Sequence, residues 1–172
     1  MYVHISANLT YNKDVASRLK RLIADNKLDP MECVTRHITR LSRALVARFD
    51  AEFAASGLTS HQFTILMTLA RSGSLNVGEL SHYVGMDQST TTRALRPLQR
   101  DGLIKITAGD DRRQRIISAT ALAETKLANA YPRWVELQKT ILKQLGNNEW
   151  ESMMQSFRVI RKAIAPSAPA KA

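Results

Sequence analysis

The chain has 172 residues, of which 44% are hydrophobic, and this content excludes disorder throughout. Lysine and arginine outnumber aspartate and glutamate by 25 to 15, so the formal net charge of +10 predicts a polyanionic partner. No apolar run reaches the roughly 18–20 residues of a membrane helix, and the N-terminus lacks a signal-peptide pattern. The single cysteine, Cys33, excludes an intrachain disulfide framework. We therefore expect a cytoplasmic protein with no membrane partner.

Two helical patterns precede residue 57. Apolar residues with helical spacing predict a short amphipathic helix over 13–26, within an N-terminal extension over 1–29. Asp29 and Pro30 signal the start of a long helix over about 31–55. The apolar stripe of this long helix consists of Val34, Ile38, Leu41, Leu45, Phe49 and Phe53.

The next elements follow the order helix, helix, helix, hairpin. Thr59 with Gln62 predicts a capping box, Asn76 caps a short helix that ends at Gly85, and Asp87 caps a third helix. Short β-like runs at 103–107 and 115–118 flank a polar turn and predict a hairpin. Two short helices followed by such a ribbon predict a winged helix-turn-helix over 57–119. The expected fold is therefore mainly α with a small β-wing.

Helical regions over 30–56 and 120–165 flank this domain, and 166–172 reads as a flexible tail. Gly146 separates two stripes, and Asn147 or Asn148 is expected to cap the last helix. One small domain cannot bury two such stripes, so they predict a dimerisation surface. The alternative is that both stripes pack within the subunit. The stripes consist of Leu127, Tyr131, Trp134, Gln138, Ile141 and Leu145, with Leu137 beside them, and of Trp150, Met153, Phe157, Ile160 and Ile164.

The third helix is the candidate recognition helix. Small hydroxyl side chains and glutamine can reach base edges or phosphates, the helix N-terminus favours phosphate, and arginine can read guanine bidentately. Serine and threonine are poor generic helix formers, which argues that binding favours them here. The alternative is a helix start that only caps itself. The candidate DNA-binding residues are Gln88, Ser89, Thr90, Thr91, Thr92, Arg93 and Arg96.

The hairpin tip supplies a second candidate DNA contact. Arg112, Arg113 and Arg115 lie on or beside it, next to Asp110 and Asp111. Arginine on a thin ribbon can enter the minor groove, and a neighbouring aspartate can hold it extended by a fork-like pair. The alternative is a solvated charged turn.

Residues 31–165 resemble the multiple antibiotic resistance regulator (MarR) family. The resemblance rests on Gly57-Leu58-Thr59, Gln62-Phe63, Leu66, Leu80, Met86 through Arg93, Leu95 through Leu98, Gly102-Leu103-Ile104, Asp111-Arg112-Arg113 and Thr120.

The resemblance implies an obligate homodimer that binds pseudo-palindromic duplex DNA. Such regulators usually repress, and usually release DNA on binding a small ligand or on oxidation. By position, Asp111 and Arg113 match the family's wing pair, and the seven recognition-helix residues match its base-reading helix. Ala119 and Ala123 depart from the family's usual Leu and Gly, at positions that do not read DNA.

The expected signal is less defined. An aromatic or anionic ligand could lie between the dimerisation helices and the DNA-binding lobe, and a peroxide could oxidise Cys33, with Arg36 and His37 one turn away. The alternative for Cys33 is that it is a small, buried apolar residue. The alternative for the whole chain is that it is a winged-helix adaptor for protein contacts. We expect no metal, no cofactor and no enzymatic activity. The candidate pocket residues are Arg36, Arg40, His61 and Trp134.

Overall fold

The order of elements follows the caps that the sequence supplies. A computed structural model describes residues 9–26, 29–109 and 114–165, with side chains from residue 15 onward. The chain divides into two compact units, Met1–Leu45 and Val46–Ala172. Seven helices and three strands occupy the described residues. They are α1 (Leu9–Asn26), α2 (Val34–Phe53), α3 (Ser60–Ser72), β1 (Leu75–Asn76), α4 (Val77–Val84), α5 (Gln88–Arg100), β2 (Ile104–Ala108), β3 (Arg115–Ala119), α6 (Ala121–Leu145) and α7 (Asn147–Ala163).

The first unit contains α1 and most of α2. Asp29 caps a short 3-10 turn over Pro30–Glu32, so the long helix begins at Val34 rather than at the expected residue 31. The turn forms because the Asp29 carboxylate accepts the Met31 N–H and Pro30 has no N–H to donate. Large apolar side chains of both helices are exposed, among them Leu19 and Ile38.

The second unit confirms a mainly helical fold with a small β-wing. The expected capping box at Thr59 is present, and Asn76 caps α4 as expected, with Glu79 completing a second capping box there. Asp87 and Thr120 cap α5 and α6. Gly85 ends α4 in the left-handed conformation, with φ of 69°, which favours glycine.

The wing is a three-stranded antiparallel sheet in the order β1-β3-β2, rather than the expected two-stranded hairpin. Strands β2 and β3 pair from Ile104 opposite Ala119 to Ala108 opposite Arg115. Strand β1 adds Leu75 opposite Ile117, which carries the sheet back to the start of α4. The sheet therefore fixes the wing to the helix pair in front of it.

The core of the second unit lies between α3, α4, α5, α6 and the inner face of the sheet. Leu66, Leu80, Leu98 and Ile117 are completely buried there. Burial of each such side chain contributes about 1.5–3 kcal/mol, and together they hold α5 against the sheet.

The two C-terminal stripes differ from expectation. Leu127 and Leu137 of the α6 stripe are buried inside the subunit, so this stripe is not wholly an association surface. By contrast, α7 has no buried residue, and its apolar residues are exposed or half-buried. Gly146 precedes α7 without a side-chain cap, so the expected cap by Asn147 or Asn148 is wrong. Within the described residues, no helix is long and apolar enough to cross a membrane.

Candidate functional site

Helix α5 has one buried edge and one exposed polar face. Thr91, Leu95 and Leu98 are buried at spacings of four and three residues and anchor the helix in the core. The opposite face consists of exposed Gln88, Ser89, Thr92, Arg93 and Arg96, with half-buried Thr90 at its margin.

Thr91 belongs to the core and not to the exposed face. Its side chain is completely buried, its hydroxyl donates to the Asp87 carbonyl at 3.0 Å, and it lies 2.9 Å from the Ser81 hydroxyl. The expectation that Thr91 contacts DNA is therefore wrong. The hydrogen bond between the Ser81 and Thr91 hydroxyls joins α4 to α5, the two helices of the helix-turn-helix.

The start of α5 is organised around the Asp87 carboxylate. This carboxylate accepts hydrogen bonds from the Ser89 hydroxyl at 2.6 Å, the Thr90 hydroxyl at 2.7 Å and the Thr90 backbone N–H at 2.8 Å. The Ser89 hydroxyl bond, followed by the Thr90 bonds, lowers the pKa of Asp87 far below its ordinary value. The carboxylate is therefore ionised at any pH at which DNA is duplex.

The cationic side chains of the site are free to meet a polyanion. Arg96 has no carboxylate partner among the described residues, while Arg93 donates to the Thr90 hydroxyl at 3.2 Å. Arg115 is exposed at the start of β3. The expected wing residues Asp111, Arg112 and Arg113 lie outside the described residues.

A cavity of about 450 Å³ opens between α2, α3 and α6 in the second unit. Five of its eleven lining residues are aromatic. Phe53 stacks on Phe63 at 4.5 Å between ring centroids, and Tyr131 stacks on Trp134 at 5.5 Å. Of the four expected pocket residues, Trp134 lines this cavity and Arg36, Arg40 and His61 do not. The lining residues are Phe49, Phe53, Ser60, Phe63, Thr64, Met67, Thr68, Arg71, Tyr131, Trp134 and Gln138.

One buried hydroxyl at the cavity has no partner among the described residues. The Ser60 Oγ atom is buried and makes no hydrogen bond, although the Ser60 backbone N–H donates to Asp50 at 2.6 Å. The Thr64 and Thr68 hydroxyls differ, because each donates its hydrogen to a backbone carbonyl one turn earlier. A buried hydroxyl without a partner costs free energy, which a bound acceptor would remove.

Apart from Trp134, the sequence did not single out the cavity residues, because Phe49 and Phe53 read only as a helix core stripe and Ser60 only as part of a cap. The spacing of the aromatic residues within α2, α3 and α6 can be read from the sequence, but whether they meet at one cavity depends on how the three helices pack.

Cys33 is exposed, as expected for a reactive thiol. It immediately precedes α2, and hydrogen bonds from the backbone N–H groups of Arg36 and then Thr35 lower its pKa.

Comparison with known proteins agrees with this architecture. A family model described as the MarR family matches residues 58–114. The transcriptional regulator MosR of M. tuberculosis, solved in complex with DNA, is 30% identical and has a TM-score of 0.71, with 77% of this chain and 96% of that chain covered.

Two further relatives are more distant. The uncharacterized HTH-type transcriptional regulator YwoH of Bacillus subtilis is 23% identical over 75% of this chain and 97% of its own length. BpsR of Bordetella bronchiseptica, whose DNA binding is regulated by 6-hydroxynicotinic acid, is 19% identical with a TM-score of 0.70, over 78% of this chain and 98% of that chain. The BpsR likeness shows the shared fold alone. With the MosR match and the family model, the chain belongs to the MarR family of transcriptional regulators.

Proposed function

We propose that this regulator is a homodimeric repressor that binds a pseudo-palindromic operator and releases it when a small aromatic acid occupies the α2–α3–α6 cavity. The observation that carries DNA binding is the division of α5 into a buried edge and an exposed face of hydroxyls, amide and guanidinium groups. That face suits the major groove, where arginine reads guanine and small polar groups reach base edges. The net charge of +10 supports attraction to duplex DNA.

Three groups in the cavity support an aromatic acid as the ligand. Stacked rings such as Phe63 and Trp134 suit an aromatic body. The Ser60 hydroxyl can donate to a carboxylate or phenolate oxygen, and Arg71 at the cavity wall has no carboxylate partner among the described residues. Ligand pockets typically measure about 300–1,000 Å³, a range that this cavity meets. The aromatic acid that regulates BpsR supports the same class of ligand.

The proposed dimer rests on the exposed apolar side chains of the described helices. Phe157 of α7 is 41% exposed and Ile164, directly after α7, is 75% exposed. Val34 and Leu41 of α2 are 52% and 49% exposed. A monomer rarely leaves so many large apolar groups in water, whereas a two-fold interface covers the same residues of both subunits. Two subunits then present two recognition helices about 34 Å apart, one turn of DNA.

Ligand release is the prediction that tests the cavity. We expect aromatic acids such as hydroxybenzoates or hydroxynicotinates to release the wild-type protein from its operator, with Ser60→Ala raising the required concentration about fivefold because one hydrogen bond is lost. Fluorescence anisotropy of labelled duplex measures the release. Ser72→Ala, an exposed serine at the end of the same helix, is the matched control and should respond like wild type. Equal release from wild type and Ser60→Ala would contradict this role for the cavity.

Oxidation of Cys33 is the second candidate signal, favoured by the exposure and lowered pKa of its thiol. We expect peroxide to oxidise the thiolate to a sulfenic acid and to reduce operator binding in wild type but not in Cys33→Ser. The response should weaken as pH falls through the lowered pKa, because only the thiolate reacts. A peroxide titration followed by gel shift measures this. Equal sensitivity of Cys33→Ser would remove Cys33 as the sensor.

A further inference from the structure

We propose that Asp87 sets the hydrogen-bond polarity of α5, so that the exposed hydroxyls act as acceptors and select adenine or cytosine on the strand that faces them. The inference rests on the proposed insertion of α5 into the major groove. It states which bases the hydroxyl groups of α5 prefer. Asp87 is then a positioning residue that acts through Ser89 and Thr90.

An ionised carboxylate has no hydrogen to give. Because the Ser89 and Thr90 hydroxyls lie 2.6 Å and 2.7 Å from the two Asp87 oxygens, each hydroxyl must be the donor in its bond. A hydroxyl has one hydrogen, so neither residue retains a donor for DNA. Both keep oxygen lone pairs that can accept.

Thr92 reaches the same state by another route. Its hydroxyl lies 2.7 Å from the Gln88 backbone carbonyl, which is also an obligate acceptor, so the Thr92 hydrogen is committed to the backbone. Arg93 then occupies part of the Thr90 oxygen by donating to it at 3.2 Å. Ser89 and Thr92 are thus the exposed hydroxyl acceptors of α5, the Gln88 amide can accept or donate, and Arg93 and Arg96 supply donors.

This polarity discriminates between bases in the major groove. Adenine N6 and cytosine N4 are amino donors there, whereas guanine and thymine present acceptor atoms at the corresponding edge. Two acceptors facing each other repel, so guanine or thymine opposite Ser89 or Thr92 is disfavoured. Phosphate is an acceptor as well, and the Asp87 charge repels it. The start of α5 is therefore suited to amino groups rather than to the phosphate expected from its helix dipole.

The Asp87→Asn variant tests this polarity while keeping the helix cap. The asparagine oxygen, in the place of Oδ1, can still accept the Thr90 N–H and the Ser89 hydroxyl. Its amide group, in the place of the other oxygen, donates to the Thr90 hydroxyl and frees the hydrogen of that hydroxyl. The operator is first obtained by enrichment of a random duplex library with wild-type protein. Each adenine or cytosine of the half-site is then replaced in turn by purine or 2-pyrimidinone, which lack the amino group.

We expect removal of one amino group to weaken wild-type binding about fivefold, the value of a single hydrogen bond. The same removal should leave Ser89→Ala nearly unaffected at a base that faces Ser89, and Asp87→Asn nearly unaffected at a base that faces Thr90. Asp87→Asn should also bind unrelated duplexes more tightly, because a negative charge is removed. Asp101→Asn is the matched control: it removes an equal charge at the other end of α5 and should retain wild-type discrimination. A mere folding defect would lower binding to every duplex instead.

Two other results have distinct meanings. If wild type enriches an operator but no amino group shows coupling to Ser89 or Asp87, the polarity inference is overturned and the proposed DNA function stands. If wild type enriches no duplex at low salt, the proposed function itself fails, and the inference falls with it.

Discussion

The Phe157→Asp variant should behave as a monomer and lose at least about 100-fold in operator affinity. Phe157 is 41% exposed on α7, a helix with no residue buried inside the subunit, so its ring has room to lie in an interface. A carboxylate placed there must be desolvated in the dimer, which strongly disfavours association. In the dimer, binding of one subunit to its half-site holds the other subunit near the second half-site at an effective concentration that reaches about the millimolar range. A monomer loses this gain in affinity.

Light scattering or sedimentation measures the mass, which should fall from that of two chains to the 19.3 kDa of one. Ser156→Asp is the matched control, because it adds the same charge at the neighbouring exposed position and should leave mass and affinity unchanged. Circular dichroism separates a folded monomer from an unfolded chain. A Phe157→Asp protein that remained dimeric and bound the operator normally would exclude α7 from the interface.

The Arg96→Ala variant should lose operator affinity by roughly tenfold or more while binding a scrambled duplex almost as well as wild type. Arg96 is exposed on the polar face of α5, and a bidentate contact to guanine carries discrimination of this size. Fluorescence anisotropy with both duplexes measures the ratio. Equal losses on the two duplexes would mean that Arg96 contacts phosphate rather than a base.

Arg115→Ala provides the contrast for Arg96. This exposed wing residue is expected to contact phosphate, so its loss should weaken both duplexes by the same factor and reduce the slope of log affinity against log salt by about one. Arg133→Ala on the exposed surface of α6 controls for the change in net charge.

Much of the second unit could be predicted because its helix boundaries are determined by residues that are close in the sequence. The capping box at Thr59, the cap at Asn76 and the end of α4 at Gly85 depend on neighbouring residues alone, and each is confirmed. Strand β1 could not be predicted, because its two residues carry no periodicity and exist as a strand only through pairing with β3.

The candidate site was less predictable, since a polar residue of α5 can either contact DNA or be buried with its hydrogen bonds satisfied inside the protein. Thr91 read as one more hydroxyl in a polar run, yet its spacing from Leu95 and Leu98 places it on the buried edge. Its hydroxyl can be buried there because it donates to the Asp87 carbonyl and accepts from the Ser81 hydroxyl. Likewise, α6 remains one helix through Pro132, because Leu127 and Leu137 are buried on either side of the missing hydrogen bond.

The cavity is lined by side chains of α2, α3 and α6, and none of its lining residues belongs to α5. Under the proposed function, substitutions in the cavity therefore change the ligand specificity and leave the exposed side chains of α5 in place. Substitutions on α5 change the operator specificity and leave the cavity wall in place, so the two specificities can evolve through separate mutations. For the same reason, this scaffold suits construction of biosensors, in which one operator is kept while Ser60, Met67 or Trp134 is varied to report a new compound.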